Sequence, residues 1–107
     1  MKIFKLDDMK QGWFFGNFEP SAYKDTDVEV CYRVHPKGEH WEWHYHKEIT
    51  EVNVLVEGKM IMHGKTLTSG DIFTIEPYEI SDQEFIEDCK IICVKTKNKP
   101  NDKFIIT

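Results

Sequence analysis

The chain has 107 residues, 14 Lys and Arg against 19 Asp and Glu for a net charge of −5, five His, three Cys, and 40% hydrophobic and 13% aromatic content. That length suits one compact domain rather than several, because single domains commonly run to roughly 100–150 residues, and the acidic balance without a run of Lys or Arg gives a phosphate backbone nothing to meet, so nucleic acid is not an expected partner. The opening Met1-Lys2-Ile3-Phe4-Lys5 lacks the apolar run of a signal peptide and no segment approaches the roughly 20 apolar residues that span a bilayer, so the expectation is a cytoplasmic protein without a membrane partner.

In chain order, the first 12 residues and the 19–27 stretch are too polar to show either period, and each has room for a short helix. From Val28 onward a period of two dominates. Val28, Val30, Tyr32 and Val34 alternate with Glu29, Cys31 and Arg33; Trp41, Trp43 and Tyr45 alternate with His40, Glu42, His44 and His46; Val52, Val54 and Val56 alternate with Glu51, Asn53 and Leu55. Alternation with β-branched and aromatic residues marks strands. Turn residues separate them at Pro36-Lys37-Gly38, Glu57-Gly58-Lys59, His63-Gly64-Lys65, Ser69-Gly70-Asp71, Glu76-Pro77-Tyr78 and Lys99-Pro100-Asn101-Asp102. Gly64 suits a tight hairpin with a positive φ, and His63 beside it reads as a turn residue. Many short strands joined in this way predict an antiparallel sandwich or barrel of Greek-key type. Cys31, Cys89 and Cys93 are an odd number without C-x-x-C spacing and sit in apolar runs, which predicts reduced, buried thiols.

Successive side chains on a strand point to opposite faces, so His44 and His46 project the same way. Four residues later comes Glu51, far enough for a tight reversal that returns the chain as the antiparallel neighbour of the His strand. Two imidazoles and a carboxylate then converge, an arrangement that suits Fe(II), and Mn, Ni, Co or Zn as well.

Gly38, His44, His46, Glu51 and Gly58 together spell G-x5-H-x-H-x4-E-x6-G, which resembles the first motif of the cupin superfamily without gap or substitution. The resemblance spans about residues 28–95, leaving an N-terminal arm over 1–27 and a tail over 96–107. It implies an all-β fold, a small antiparallel jelly-roll β-barrel of the double-stranded β-helix kind, and a divalent metal ion held by His44, His46 and Glu51, which would also be the catalytic residues. The second cupin motif is matched in part. Gly70 to Pro77 resembles its opening, but Tyr78 stands where the family usually has Gly, the Asn position falls near Phe85, and Ser81 replaces the His that supplies the fourth ligand. A hydroxyl is a poor ligand for such an ion, so the site has three protein ligands plus water, or recruits Asp82, Glu79 or Glu84, or works without metal through an imidazole base.

Parity places His40 and Glu42 on the inward side with the His pair, suggesting a wet pocket. Arg33, if inward, would anchor a carboxylate or phosphate, Asn53 shares parity with Glu51, and Ser81 completes the candidate substrate-binding set. Trp41, Trp43 and Tyr45 fall on the outer face, where burial in a homodimer, or beneath Trp13-Phe14-Phe15-Gly16-Asn17-Phe18 of the same chain, would cover them. Three functions follow as expectations: a small metal-binding cupin acting on a polar small molecule as an oxygenase, isomerase or lyase; a non-catalytic cupin that sequesters or senses a small ligand; or a metal-free sugar-nucleotide isomerase or epimerase.

Overall fold

The computed structural model describes residues 1–106. Ten strands carry nearly all of its regular structure: β1 (Trp13–Phe15), β2 (Val28–His35), β3 (His44–Tyr45), β4 (Thr50–Glu57), β5 (Lys59–Met62), β6 (Lys65–Thr68), β7 (Ile72–Ile75), β8 (Glu84–Phe85), β9 (Cys89–Thr96) and β10 (Phe104–Ile105). The polar opening contains a 3-10 turn at Leu6–Asp8, and no helix forms between residues 19 and 27.

Strands β1, β2, β9, β4 and β7 lie side by side in that order as one antiparallel sheet. A second layer is built from the β6-β5-β8 sheet and the β3-β10 pair, with an isolated bridge from His44 to Ser81 tying β3 to the segment that leads into β8. The layers meet through a shared core in which Leu55, Ile75 and Ile91 of the first pack against Met60, Met62 and Phe85 of the second. Burying such a side chain contributes about 1.5–3 kcal/mol, so one end of the barrel supplies much of the cohesion and leaves the other end free for polar groups. This is the antiparallel jelly roll that the strand pattern and the motif predict.

Gly58 turns the chain from the first layer into the second. It has φ 116°, and a Cβ there would lie 2.4 Å from the Asp88 carbonyl oxygen, so a side chain is excluded by both conformation and space. At the β5–β6 hairpin His63 and Gly64 have φ 51° and 72°, the paired left-handed residues of a two-residue turn.

At the cavity end the inner face of the five-stranded sheet is polar, while its outer face is apolar. Cys31, Arg33 and His35 of β2, Glu51 and Asn53 of β4, and Cys93 and Lys95 of β9 line an interior cavity. On the opposite face the register sets Tyr32, Ile92, Val54 and Ile72 in one row across four strands, and Ile72 is 68% exposed.

Two expectations fail here. The segment before His44 is not a strand, because β10 reaches only His44 and Tyr45, and Ile106 adds a single bond to the Trp43 carbonyl oxygen. Without a ladder the pleat is not enforced and parity does not carry back to His40. Trp41 therefore turns inward, Trp43 remains 53% exposed, and Tyr45 is covered by the chain's own tail, stacking on Phe104 at 5.4 Å. Second, β4 is not the neighbour of the His strand: it pairs with β7 and β9, while β3 pairs with β10.

Candidate metal centre

His44 is fixed by strand β3 and its bridge to Ser81; His46 follows immediately, and Glu51 is the second residue of β4. The reversal between them is held by a residue from the tail. The buried Asp102 carboxylate accepts hydrogen bonds from the backbone N–H groups of Lys47, Glu48 and Ile49 at 2.9, 2.9 and 3.0 Å. Burial raises its carboxyl pKa, but these three donors and the nearby His46 outweigh that, and the net shift is downward. The clamp lets His44, His46 and Glu51 converge from two different layers, each offering an atom within 4.8 Å of the others.

Both imidazoles are oriented by carbonyl oxygens. His44 Nδ1 donates to the Glu42 carbonyl oxygen at 3.0 Å, and His46 Nδ1 donates to that of Asp102. This leaves both Nε2 atoms to face the cavity, the arrangement by which carbonyls commonly orient metal-ligating histidines. His46 Nε2 lies 3.0 Å from Glu51 Oε2, and the Cys93 thiol donates to Glu51 Oε1 at 3.2 Å.

The charges agree with this geometry. Burial works to raise the Glu51 carboxyl, but the His46 hydrogen bond, the Lys95 charge and the Cys93 thiol overcome it and lower the pKa to about 2. His46 is shifted upward, chiefly by the same bond from Glu51 and against its own burial. His44 moves down because it is buried, with Lys103 and His46 adding to the effect and the Glu42 carbonyl opposing it. Two imidazoles with their Nε2 atoms turned to the cavity and an ionised carboxylate are a donor set that fits a borderline first-row ion.

Ser81 is buried and lines the same cavity, but its hydroxyl donates to Gln83 Oε1 at 2.7 Å. None of the three carboxylates proposed as its substitute takes its place. Asp82 accepts from the His63 backbone N–H, Glu79 from that of Glu76, and none of Glu79, Asp82 and Glu84 lines the cavity.

The cavity measures about 130 Å³ and includes Arg33, Asn53 and Ser81 from the expected binding set. His40 and Glu42 are not part of it; both are exposed, the consequence of the lost pleat before His44. Sequence reasoning missed Trp13, Gln83, Lys95 and Lys103, which line the cavity, and Asp102, which shapes it. Lys95 shares strand parity with Cys93 and was legible on that ground; Asp102 showed only as a turn residue. All three cysteines are free and buried as predicted, although Cys31 and Cys93 face the cavity rather than a dry core.

No family model and no curated protein matches this sequence. Solved structures do resemble its fold. A cupin protein from Bacteroides fragilis matches with a TM-score of 0.57 at 21% identity, covering 74% of this chain and 73% of the other. A conserved protein with a double-stranded β-helix domain from Klebsiella pneumoniae gives 0.64 at 15% identity, over 78% of this chain and 77% of its own. The DMSP lyase DddQ from Ruegeria pomeroyi gives 0.70 at 12% identity, covering 87% of this chain and 49% of the lyase. The chain thus has the cupin fold, the double-stranded β-helix that its first motif implied.

Proposed function

We propose that this cupin-fold chain binds a divalent metal through His44, His46 and Glu51 and acts on a polar small molecule in the adjoining cavity. The observation that carries the proposal is the convergence of three ligating atoms whose imidazoles are already oriented by the carbonyls of Glu42 and Asp102. A bound ion would supply Lewis acidity or activate a coordinated oxygen. Glu51 and the two Nε2 atoms would hold it, Asn53 and Arg33 would orient the ligand, and Trp13 and Trp41 would limit its contact with water.

Ser81 favours a second reading, in which the protein holds its ligand without converting it. With its hydroxyl committed to Gln83, Ser81, bridged to His44 beside the triad, is not free to exchange a proton there. A cavity of about 130 Å³ is near the size that accepts benzene, which favours either of these readings over a sugar-nucleotide isomerase or epimerase. Metal analysis of the purified chain beside His44→Ala and Glu51→Ala decides the first point: one equivalent of ion in the parent and little in either variant is expected, and equal, negligible metal in all three would overturn the metal reading. Mass spectrometry of a metabolite pool incubated with the protein then separates conversion from retention.

The homodimer is proposed on a different surface from the aromatic stripe. The outward row Tyr32, Ile92, Val54 and Ile72 is apolar, spans four strands and suits a second copy of this chain. Sedimentation should give twice the single-chain mass, and Ile72→Lys should restore the single-chain value.

A further inference from the structure

The cavity carries more positive charge than its own groups balance. Arg33, Lys95 and Lys103 line it, against Glu51 among its carboxylates. The Arg33 guanidinium and the Lys103 ammonium lie 4.8 and 5.3 Å from the centre of the Trp41 ring, and Lys95 lies 5.0 Å from that of Trp13. None of these three cations forms an ion pair with a carboxylate among the described residues. An indole face holds a cation in place without neutralising it, so, while Lys95 acts on Glu51, the charges of Arg33 and Lys103 remain available to a guest.

Independently, Asn53 is 5% exposed, and its carboxamide nitrogen finds no hydrogen-bond partner among the described residues. It stands two residues from Glu51 on the inward face of β4 and lines the same cavity. A buried amide left without a partner is rare unless something absent from the free chain completes it. The remainder of the lining includes Met60, Met62 and Phe73, which suits a guest with a carbon body rather than a bare inorganic anion.

We infer that the cavity takes a small hydroxycarboxylate. Its carboxylate faces Arg33 and Lys103, its further oxygen meets Asn53, and its carbon body lies along the methionines. The assignment rests on the small-molecule reading of this cavity and names its ligand class; it does not depend on whether a metal is bound.

The probes are 2-hydroxybutanoate, its uncharged counterpart 2-hydroxybutanamide, and butanoate, titrated into the full chain with and without Zn²⁺. Tryptophan fluorescence is the readout, since Trp13 and Trp41 line the site. The hydroxy acid should bind at least about tenfold more tightly than the amide. Arg33→Met should erase that preference, and so should Lys103→Met, whose exposed position leaves folding unthreatened. Asn53→Leu should bring 2-hydroxybutanoate down to the affinity of butanoate while leaving butanoate unchanged. Equal affinity for acid and amide, or no saturable binding of the acid, would overturn the assignment. Zn²⁺ titration of the same proteins keeps the two readings apart: zinc bound without a charge preference defeats this inference alone, whereas a charge preference without zinc binding defeats the metal reading alone.

Discussion

The two polar corners of the cavity are built on opposite principles. Around the triad every group has a partner: Glu42 and Asp102 hold the imidazoles, while His46 and Cys93 hold Glu51. Around Asn53 the carboxamide nitrogen is bare, and Arg33 and Lys103 rest on an indole instead of a carboxylate. A partnered cluster is set in place in the free chain, as the ligation proposed for it would require. An unpartnered cluster loses stability in the free chain and recovers it when a ligand supplies the missing bonds. Mutations should therefore act with opposite signs at the two corners.

The largest effect is expected at Asp102. Asp102→Ala strips three N–H groups of a charged acceptor at once, that of Ile49 buried and those of Lys47 and Glu48 partly so, and at about 1 kcal/mol or more for each such bond the loss should reach about 3 kcal/mol. Thermal denaturation should show a Tm lower by roughly 12 °C or more at this chain length. Metal affinity should fall with it by about 10- to 100-fold, because the same loop carries His46 toward Glu51. A variant that melts like the parent would mean that the Lys47–Ile49 reversal holds itself.

The triad should also govern how stability varies with pH. The folded Glu51 carboxyl, at about 2, lies below its ordinary 4.5, so its contribution is present above pH 4.5 and is lost as the pH falls toward 2. His44 and His35, both depressed by burial, act in the same direction at higher pH: the unfolded chain takes up protons below 6.5 sooner than the folded one, and stability declines as acid is added. His46 is raised, so its contribution is complete below pH 6.5 and disappears as the pH rises through its folded value. In the metal-free protein Glu51→Gln should flatten both the loss below pH 4.5 and the loss on the alkaline side. Melting curves from pH 3 to 9 test this, and an unchanged alkaline limb would show that the His46–Glu51 pair does not set it.

At the other corner the sign reverses. Asn53→Leu removes a buried amide whose nitrogen is unpaired and replaces it with an apolar group of similar size, which should stabilise the ligand-free chain by about 1 kcal/mol. Urea denaturation reads the change as a higher midpoint with an unchanged slope. Destabilisation of similar size would mean that Asn53 is satisfied in the free chain, by ordered water for example, and that the two corners do not differ in kind.

Much of this contrast could be read from the residues. Alternation works on β4, where neighbours on both sides hold the pleat and send Glu51, Asn53 and Leu55 inward together. The His-x-His pair was legible because β10 holds β3 at His44 and Tyr45, and unreadable one turn earlier, where His40 and Glu42 have no such ladder. Long-range contacts were hidden altogether. Nothing near Lys47 announces that a carboxylate 55 residues later will hold it, and Trp13 reaches the cavity only because β1 pairs with β2. Arg33 faces the cavity with Cys31 and His35 while the apolar residues of its strand lie on the outer face, so the usual rule that apolar residues face inward misleads on β2.

The smallest effect is expected at Tyr78, which borders the partnered corner without being needed for it. Its φ of 70° is a left-handed conformation that costs a bulky residue about 1 kcal/mol or more. Its exposed ring stacks on Tyr45 at 6.1 Å, while its backbone N–H donates to the His46 carbonyl oxygen at 2.7 Å. Tyr78→Gly relieves the strain but loses the stacking and adds freedom to the unfolded chain, each worth roughly 0.5–1 kcal/mol, so stability should change by less than about 1 kcal/mol. Because the bond to His46 comes from the main chain, metal affinity should stay within about twofold of the parent. If affinity instead collapsed while the melting temperature held, the ring would be what positions His46, and the partnered corner would extend one layer further than its hydrogen bonds indicate.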